Sequence, residues 1–155
     1  MKWLRRIGTH LVAGLAGFAL GIYLLPILIA PESPGDQEIL SAAESARFTA
    51  EFRRDLEDSD ALHWGEGTLY VGPDRIALDG RLAPGPDYRL YLSPEFVETE
   101  YDFLALKSQM VEVGPVRTFE DFTVPVPGSI NPVEFSSAIV WCESFSQFIT
   151  AAQYQ

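Results

Sequence analysis

Leu11 to Ala30 is a run of twenty residues without a single charge. Nothing else in the chain limits its folding so strongly, because a stretch this apolar must leave water. At about 1.5 Å per residue, a helix of that length crosses the roughly 30 Å hydrocarbon core of a bilayer. Lys2, Arg5 and Arg6 precede the run, while Glu32, Asp36 and Glu38 follow it. That asymmetry puts residues 1–10 in the cytoplasm, the crossing at 11–30, and everything beyond on the periplasmic or extracellular side. A cleaved signal peptide is the competing reading. Its apolar core is typically about 7–15 residues and ends in a small-x-small site. Here Leu28 and Ile29 lead into Ala30 and Pro31 follows, which favours an uncleaved single-pass anchor. No cysteine lies near the run, so a lipid-modified anchor is excluded. Ala13, Gly17 and Gly21 form a small-residue stripe of the kind that lets two helices approach, although such residues are common in membrane helices generally. Pro26 is expected to kink the helix or mark its outer end.

The part beyond the anchor is long enough for one domain with its own core. It carries eight Lys and Arg against 22 Asp and Glu, a net charge of −14. Such a surface repels nucleic acid and anionic lipid headgroups, so neither is expected as a partner. The acid excess otherwise reads as ordinary solubility.

Pro31 to Asp36 opens a linker over residues 31–47, and its prolines are expected to stiffen it and hold the domain off the membrane. A short helix is expected within Ile39 to Phe52, with Ser41 and Glu44 spaced as a capping box. Asp55 to Asp60 reads as a solvated loop. From His63 the pattern becomes that of strands. Gly65 to Val71 and Arg75 to Leu78 are separated by the turn Gly72-Pro73-Asp74, and Asp79-Gly80 is a hairpin signal. Ala83 to Asp87 carries two prolines and is irregular. Tyr88 to Leu92 alternates, with Tyr88, Leu90 and Leu92 on one face and Arg89 and Tyr91 on the other. Short apolar runs follow at 110–113, 116–119 and 122–126, punctuated by Gly114-Pro115 and Pro127-Gly128. Ala138 to Cys142 has no polar alternation and belongs in the centre of a sheet, with a closing strand at Ser146 to Ala151. The whole predicts an all-β fold, an antiparallel β-sandwich or barrel over residues 48–155, preceded by one transmembrane helix and a short linker or helix.

Cys142 is the only cysteine. In an oxidising compartment it cannot close an internal disulfide. It is a small apolar core residue, a partner for an outside thiol, or a redox or metal-binding group. Its neighbours Ile139, Val140 and Trp141 suggest an apolar setting that would raise its pKa, and Glu143 would also oppose a thiolate. A blue-copper site needs two His and a Cys, usually with a Met, and the outer chain offers only His63, Cys142 and Met110. Structural zinc lacks ligands, so no metal is expected. No Cys-x-x-Cys-His attaches a haem, and a noncovalent haem on His63 and Met110 has little to support it. Cys142 and His63 form a nucleophile–base pair only if the fold brings them together. Tyr88, Tyr91, Tyr101, Trp64 and Trp141 supply aromatic core or binding surface. No catalysed reaction follows from these residues, and no cofactor is identified.

Three blocks carry a resemblance: Phe48 through His63 to Leu69, Gly85 to Ser93 (GPDYRLYLS), and Ser136 to Phe145 (SSAIVWCESF). Together they resemble the DM-thirteen domain, also called the electron-transfer DM domain, found beside DOMON modules in animal proteins and alone or membrane-tethered in bacteria. The similarity spans roughly Phe48 to Ala152. It implies an all-β extracytoplasmic domain and matches Cys142 to the family's singled-out cysteine, for which a redox role and hence a redox partner protein are expected. The alternative is a noncatalytic envelope interaction module in which Cys142 is a structural, buried thiol.

Overall fold

A computed structural model describes residues 2–155. Helix α1 runs from Lys2 to Ile29 and is long and apolar enough to cross a membrane. Pro26 lies inside it, three residues before its end. Helix α2, Asp36–Ser45, has its N-cap at Gly35, six residues before Ser41, so the expected capping box is not the N-terminus. Asp36 and Glu38 occupy its first turn instead, where their charge favours the positive end of the helix.

Eight strands make two four-stranded antiparallel sheets. The first sheet has the order β1 (Phe48–Phe52), β2 (Gly65–Val71), β3 (Arg75–Leu82), β6 (Glu120–Pro125). The second has the order β5 (Val111–Val116), β4 (Tyr88–Ser93), β7 (Ser137–Cys142), β8 (Gln147–Gln153). The sandwich expected from the short, punctuated strands is therefore present, with several local departures. Phe48–Phe52 is a strand and not the end of a helix, because Ala50 and Phe52 are claimed by the inter-sheet core. Asp79-Gly80 is no turn: β3 runs straight through it with a bulge, and Asp121 caps the bulge by accepting from the Gly80 N–H at 2.8 Å. Gly80 faces Gly67 across β2 and β3, and Gly67 has φ 118°, so only glycines tolerate this close backbone approach. β5 likewise passes through Gly114-Pro115, and the run at 116–119 mostly forms the turn into β6. Helix α3 (Glu100–Leu106) has no counterpart in the sequence reading. It is capped by Thr99, whose hydroxyl accepts from the Asp102 N–H at 3.0 Å.

The main core lies between the sheets and draws on every strand, from Leu69 and Leu78 through Phe122 and Leu90 to Val140 and Ile149. A second core covers the outer face of the β4–β7–β8 sheet. There Trp141, Tyr91, Ile139 and Phe148 pack under Phe103 of α3 and Leu56. Phe103 stacks on Trp141 with centroids 3.9 Å apart and planes within 10°. This second layer is why β7 is apolar throughout: Ala138, Val140 and Cys142 face the inter-sheet core, while Ile139 and Trp141 face α3. The strand sits between β4 and β8, in the interior of its sheet, as its unbroken apolar pattern requires. Ile39 and Ala42 of α2 cover Ala77 on the other outer face.

The linker after α1 touches the domain. Ser33 donates its hydroxyl hydrogen to the Glu120 carbonyl, and Pro31 lines a cleft with Arg117 and Phe119. On α1 only Ile22 and Pro26 are half-buried, four residues apart on one face, and Ala30 continues that line. That face leans over the Pro84-Gly85-Pro86 loop at one end of the sandwich.

Candidate functional site

Cys142 ends β7 and points into the sandwich at the end nearest α1. Its cross-strand partner on β4 is Tyr88. Both side chains face inward at the same rung, so thiol and phenol lie side by side. The Ala83–Asp87 stretch folds over them. Gly85 makes this possible: a Cβ there would sit 2.7 Å from Tyr88 Cζ and collide with the hydroxyl. The Cys142 thiol donates to the Pro86 carbonyl at 3.1 Å. The loop is fastened on either side by the Ala83 N–H to the Trp64 carbonyl at 2.9 Å and the Glu143 N–H to the Asp87 carbonyl at 3.1 Å. Asp87 and Ser146 adopt left-handed conformations with φ 52°, so the backbone is strained at both rims of this end.

Cys142 is 2 % exposed and Tyr88 3 %. Burial pushes the thiol above its ordinary pKa; the Phe145 and Ser144 backbone N–H groups oppose this without cancelling it, and the Asp87 and Glu143 charges add to it. Burial also drives the Tyr88 phenol upward, with the neighbouring Cys142 adding to the effect. Both groups are protonated at neutral pH and present themselves as hydrogen-bond donors. The thiol donates to Pro86, and the Tyr88 side chain lines the cavity beside it.

These two groups form the floor of a cavity of about 500 Å³. Leu62, Phe145, Ile149 and the prolines of the 84–86 loop make its walls apolar, and His63 and Gln147 add polar edges. Ala19, Ile22 and Tyr23 of α1 close its far side. At the mouth, Leu62 and Phe145 are 57 % and 51 % exposed.

Of the residues singled out from sequence, His63 and Cys142 reach the same cavity. They do not form a nucleophile–base pair. The thiol hydrogen goes to Pro86, and His63 Nδ1 bonds the Asp60 carboxylate at 3.1 Å. Met110 packs on the outer core beneath α3, on the opposite face of the sheet from Cys142. The set His63, Cys142, Met110 is therefore split by the sheet, and no group of three or more His, Cys, Asp or Glu converges to hold a metal among the described residues. Tyr88 was legible as an inward-facing strand residue, but its pairing with Cys142 depends on strand order and register.

A polar cluster sits behind the site. Tyr91 donates its hydroxyl hydrogen to Glu143, and Lys107 Nζ reaches the two oxygens of that carboxylate at 2.8 and 3.0 Å. Burial raises the Glu143 carboxyl, but the Lys107 ammonium and the Tyr91 hydroxyl outweigh it and hold the group below its ordinary range. Burial and the Glu143 carboxylate together push the Tyr91 phenol up.

The fold and the cavity define an eight-stranded antiparallel sandwich that follows an apolar helix and keeps a lone protonated thiol at one end. The family model described as electron transfer DM13 matches residues 51–154, more than half of the chain, and the chain belongs to that family. No curated protein and no solved structure matches it.

Proposed function

We propose that the chain is a membrane-tethered, extracytoplasmic electron-transfer domain whose working site is the Cys142 cavity. Residues 11–30 cross the bilayer, residues 1–10 stay in the cytoplasm, and the domain over 48–155 stands outside, joined by 31–47. Lys2, Arg5 and Arg6 before the apolar run support that orientation. The observation that carries the reading is the pairing of the Cys142 thiol with the Tyr88 phenol at the base of a cavity at one end of the sandwich. A buried thiol with a raised pKa is a poor attacking thiolate, so exchange with an outside disulfide is not its task. It serves instead as a proton-bearing group where a redox partner is engaged.

Membrane vesicles holding the full chain test this. With NADH as reductant through the membranes' own dehydrogenases and ferricyanide as an impermeant acceptor, the chain is expected to raise the reduction rate above that of empty membranes. Cys142→Ala at equal abundance should return it to the empty level. An unchanged rate in Cys142→Ala removes Cys142 from electron transfer.

The second reading is a noncatalytic envelope interaction module with a structural cysteine. The 2 % exposure of Cys142 favours it, as do Tyr101 and Leu104, which stand exposed on α3. Under this reading Cys142→Ala lowers stability alone, and substitution of Tyr101 or Leu104 loses a binding partner.

A further inference from the structure

Tyr91, Glu143 and Lys107 form a charged cluster that takes no part in the Cys142 cavity. It lies beside α3, on the outer face of the second sheet. The Tyr91 hydroxyl donates to the Glu143 carboxylate, and a second carboxylate, Glu112, stands 3.4 Å from the same hydroxyl. Each carboxylate has its own cation. Lys107 Nζ reaches Glu143 at 2.8 and 3.0 Å, and Arg89 reaches Glu112 at 3.2 Å. The Tyr91 side chain is buried, and burial together with the Glu143 carboxylate keeps its phenol protonated. The cluster therefore holds a phenol whose proton already rests on an ionised base, with little water around it.

A phenol in that setting has a specific chemistry. Taking an electron from tyrosine turns its hydroxyl into a strong acid, so the step is fast only where a positioned base accepts the proton. Glu143 is such a base. Burial raises its carboxyl, while Lys107 and Tyr91 outweigh burial and keep it ionised. An oxidised phenol is far more acidic than any carboxylic acid, so the proton still moves to Glu143. The aromatic neighbours make Tyr91 the place where an electron vacancy rests. Phe103 is edge-on to Tyr91 at 5.3 Å and stacked on Trp141 at 3.9 Å. Trp141 is wholly buried, and its indole N–H has no acceptor among the described residues. The Lys107 ammonium also lies 5.7 Å from its ring and opposes a positive charge there. A vacancy on Trp141 has no base to relieve it, whereas one on Tyr91 does.

We propose that Tyr91 is a redox-active tyrosine, which gives one electron to a strong oxidant of the oxyl-radical class as its hydroxyl proton passes to Glu143. The oxyl radical gains the electron and becomes its anion. The O–H bond of Tyr91 breaks and an O–H bond forms on Glu143, leaving a neutral phenoxyl radical beside a carboxylic acid. Lys107 holds the carboxyl in place through the transfer. This is a second redox group, on the face of β7 opposite Cys142, and it goes beyond the reading built on the thiol.

The test uses the full chain in phosphatidylcholine nanodiscs and flash-generated tris(bipyridine)ruthenium(III) as the one-electron oxidant, with a cobalt(III) ammine as the irreversible acceptor. Tyr101 is 80 % exposed and competes for the oxidant, so every chain tested carries Tyr101→Phe. Transient absorption and electron paramagnetic resonance identify the radical. A neutral tyrosyl radical is expected, formed at a rate independent of buffer concentration because its proton acceptor is built in. Tyr91→Phe keeps the ring against Phe103 and should remove that phase. Glu143→Gln keeps the shape without the base and should slow it about a hundredfold. Tryptophan emission reports that both variants are folded. The same phase in Tyr91→Phe, an unaltered rate in Glu143→Gln, or a rate that rises with buffer concentration overturns the inference. Ferricyanide is too weak an oxidant to take an electron from a phenol, so this outcome and the Cys142-dependent ferricyanide rate stand or fall separately.

Discussion

Labelling of the single thiol in the native state separates a gated site from an inert core residue. Cys142 is covered by the 84–86 loop, and opening that loop breaks three hydrogen bonds: Cys142 to Pro86, Ala83 to Trp64, and Glu143 to Asp87. At about 1 kcal/mol net for each, opening costs about 3 kcal/mol, which corresponds to roughly a hundredfold protection relative to the unfolded chain. Exposure through global unfolding would instead cost about 5–15 kcal/mol and give protection of about ten-thousandfold or more. The two routes also differ in denaturant dependence, because a loop exposes little surface and the whole domain exposes much. The assay is the rate of reaction with excess 4,4′-dithiodipyridine at increasing sub-denaturing urea. The expected result is modest protection with a shallow urea slope. Protection equal to the global stability, with the full unfolding slope, would refute the gate and leave Cys142 as a packed core residue.

Two further outcomes follow from the outer layer. Phe103 is wholly buried and stacks on Trp141, so Phe103→Ala should cost about 3–5 kcal/mol in urea unfolding and red-shift the tryptophan emission; a loss under about 1 kcal/mol would mean that α3 does not hold this layer. Glu143 has a folded pKa below its ordinary 4.5, so its contribution is complete above that value and is lost as pH falls through the folded value. With about a third of the Lys107 and Glu143 side chains exposed, the contribution is about 1 kcal/mol or less. The gap in urea midpoint between the unaltered chain and Glu143→Gln should therefore be open at pH 7 and close in acid; a gap constant with pH would contradict the assignment.

Several elements were visible in the residues alone because their signals are local. The twenty-residue uncharged run specifies an apolar helix by length and composition, whatever surrounds it. The unbroken apolar character of 138–142 specifies a strand covered on both faces, and β7 is that strand. Tyr88 to Leu92 alternates as a strand must, and β4 follows. Where signals compete, local reasoning fails. Gly80 and Gly114-Pro115 carry turn chemistry, but cross-strand pairing with β6 and β4 draws both into strands, with a bulge absorbing the mismatch in each case. Phe48–Phe52 has helix-compatible residues, yet Phe52 is needed between the sheets. Helix α3 is too short for its periodicity to stand out.

The candidate site divides in the same way. Cys142 was identified as the one thiol, and its apolar neighbours foretold the raised pKa, because both depend on composition near one position. Its companions depend on tertiary structure. Tyr88 meets Cys142 only because β4 pairs with β7 in one particular register, and a shift by one residue would turn the phenol to the outer face. Met110 was a candidate ligand by type and is excluded by topology, since the sheet stands between it and the thiol. The lean of α1 over the 84–86 loop, which makes an open end into a cavity, has no trace in any local pattern. Sequence determines what each segment must bury; only the packing of distant segments decides which groups share the space that is left.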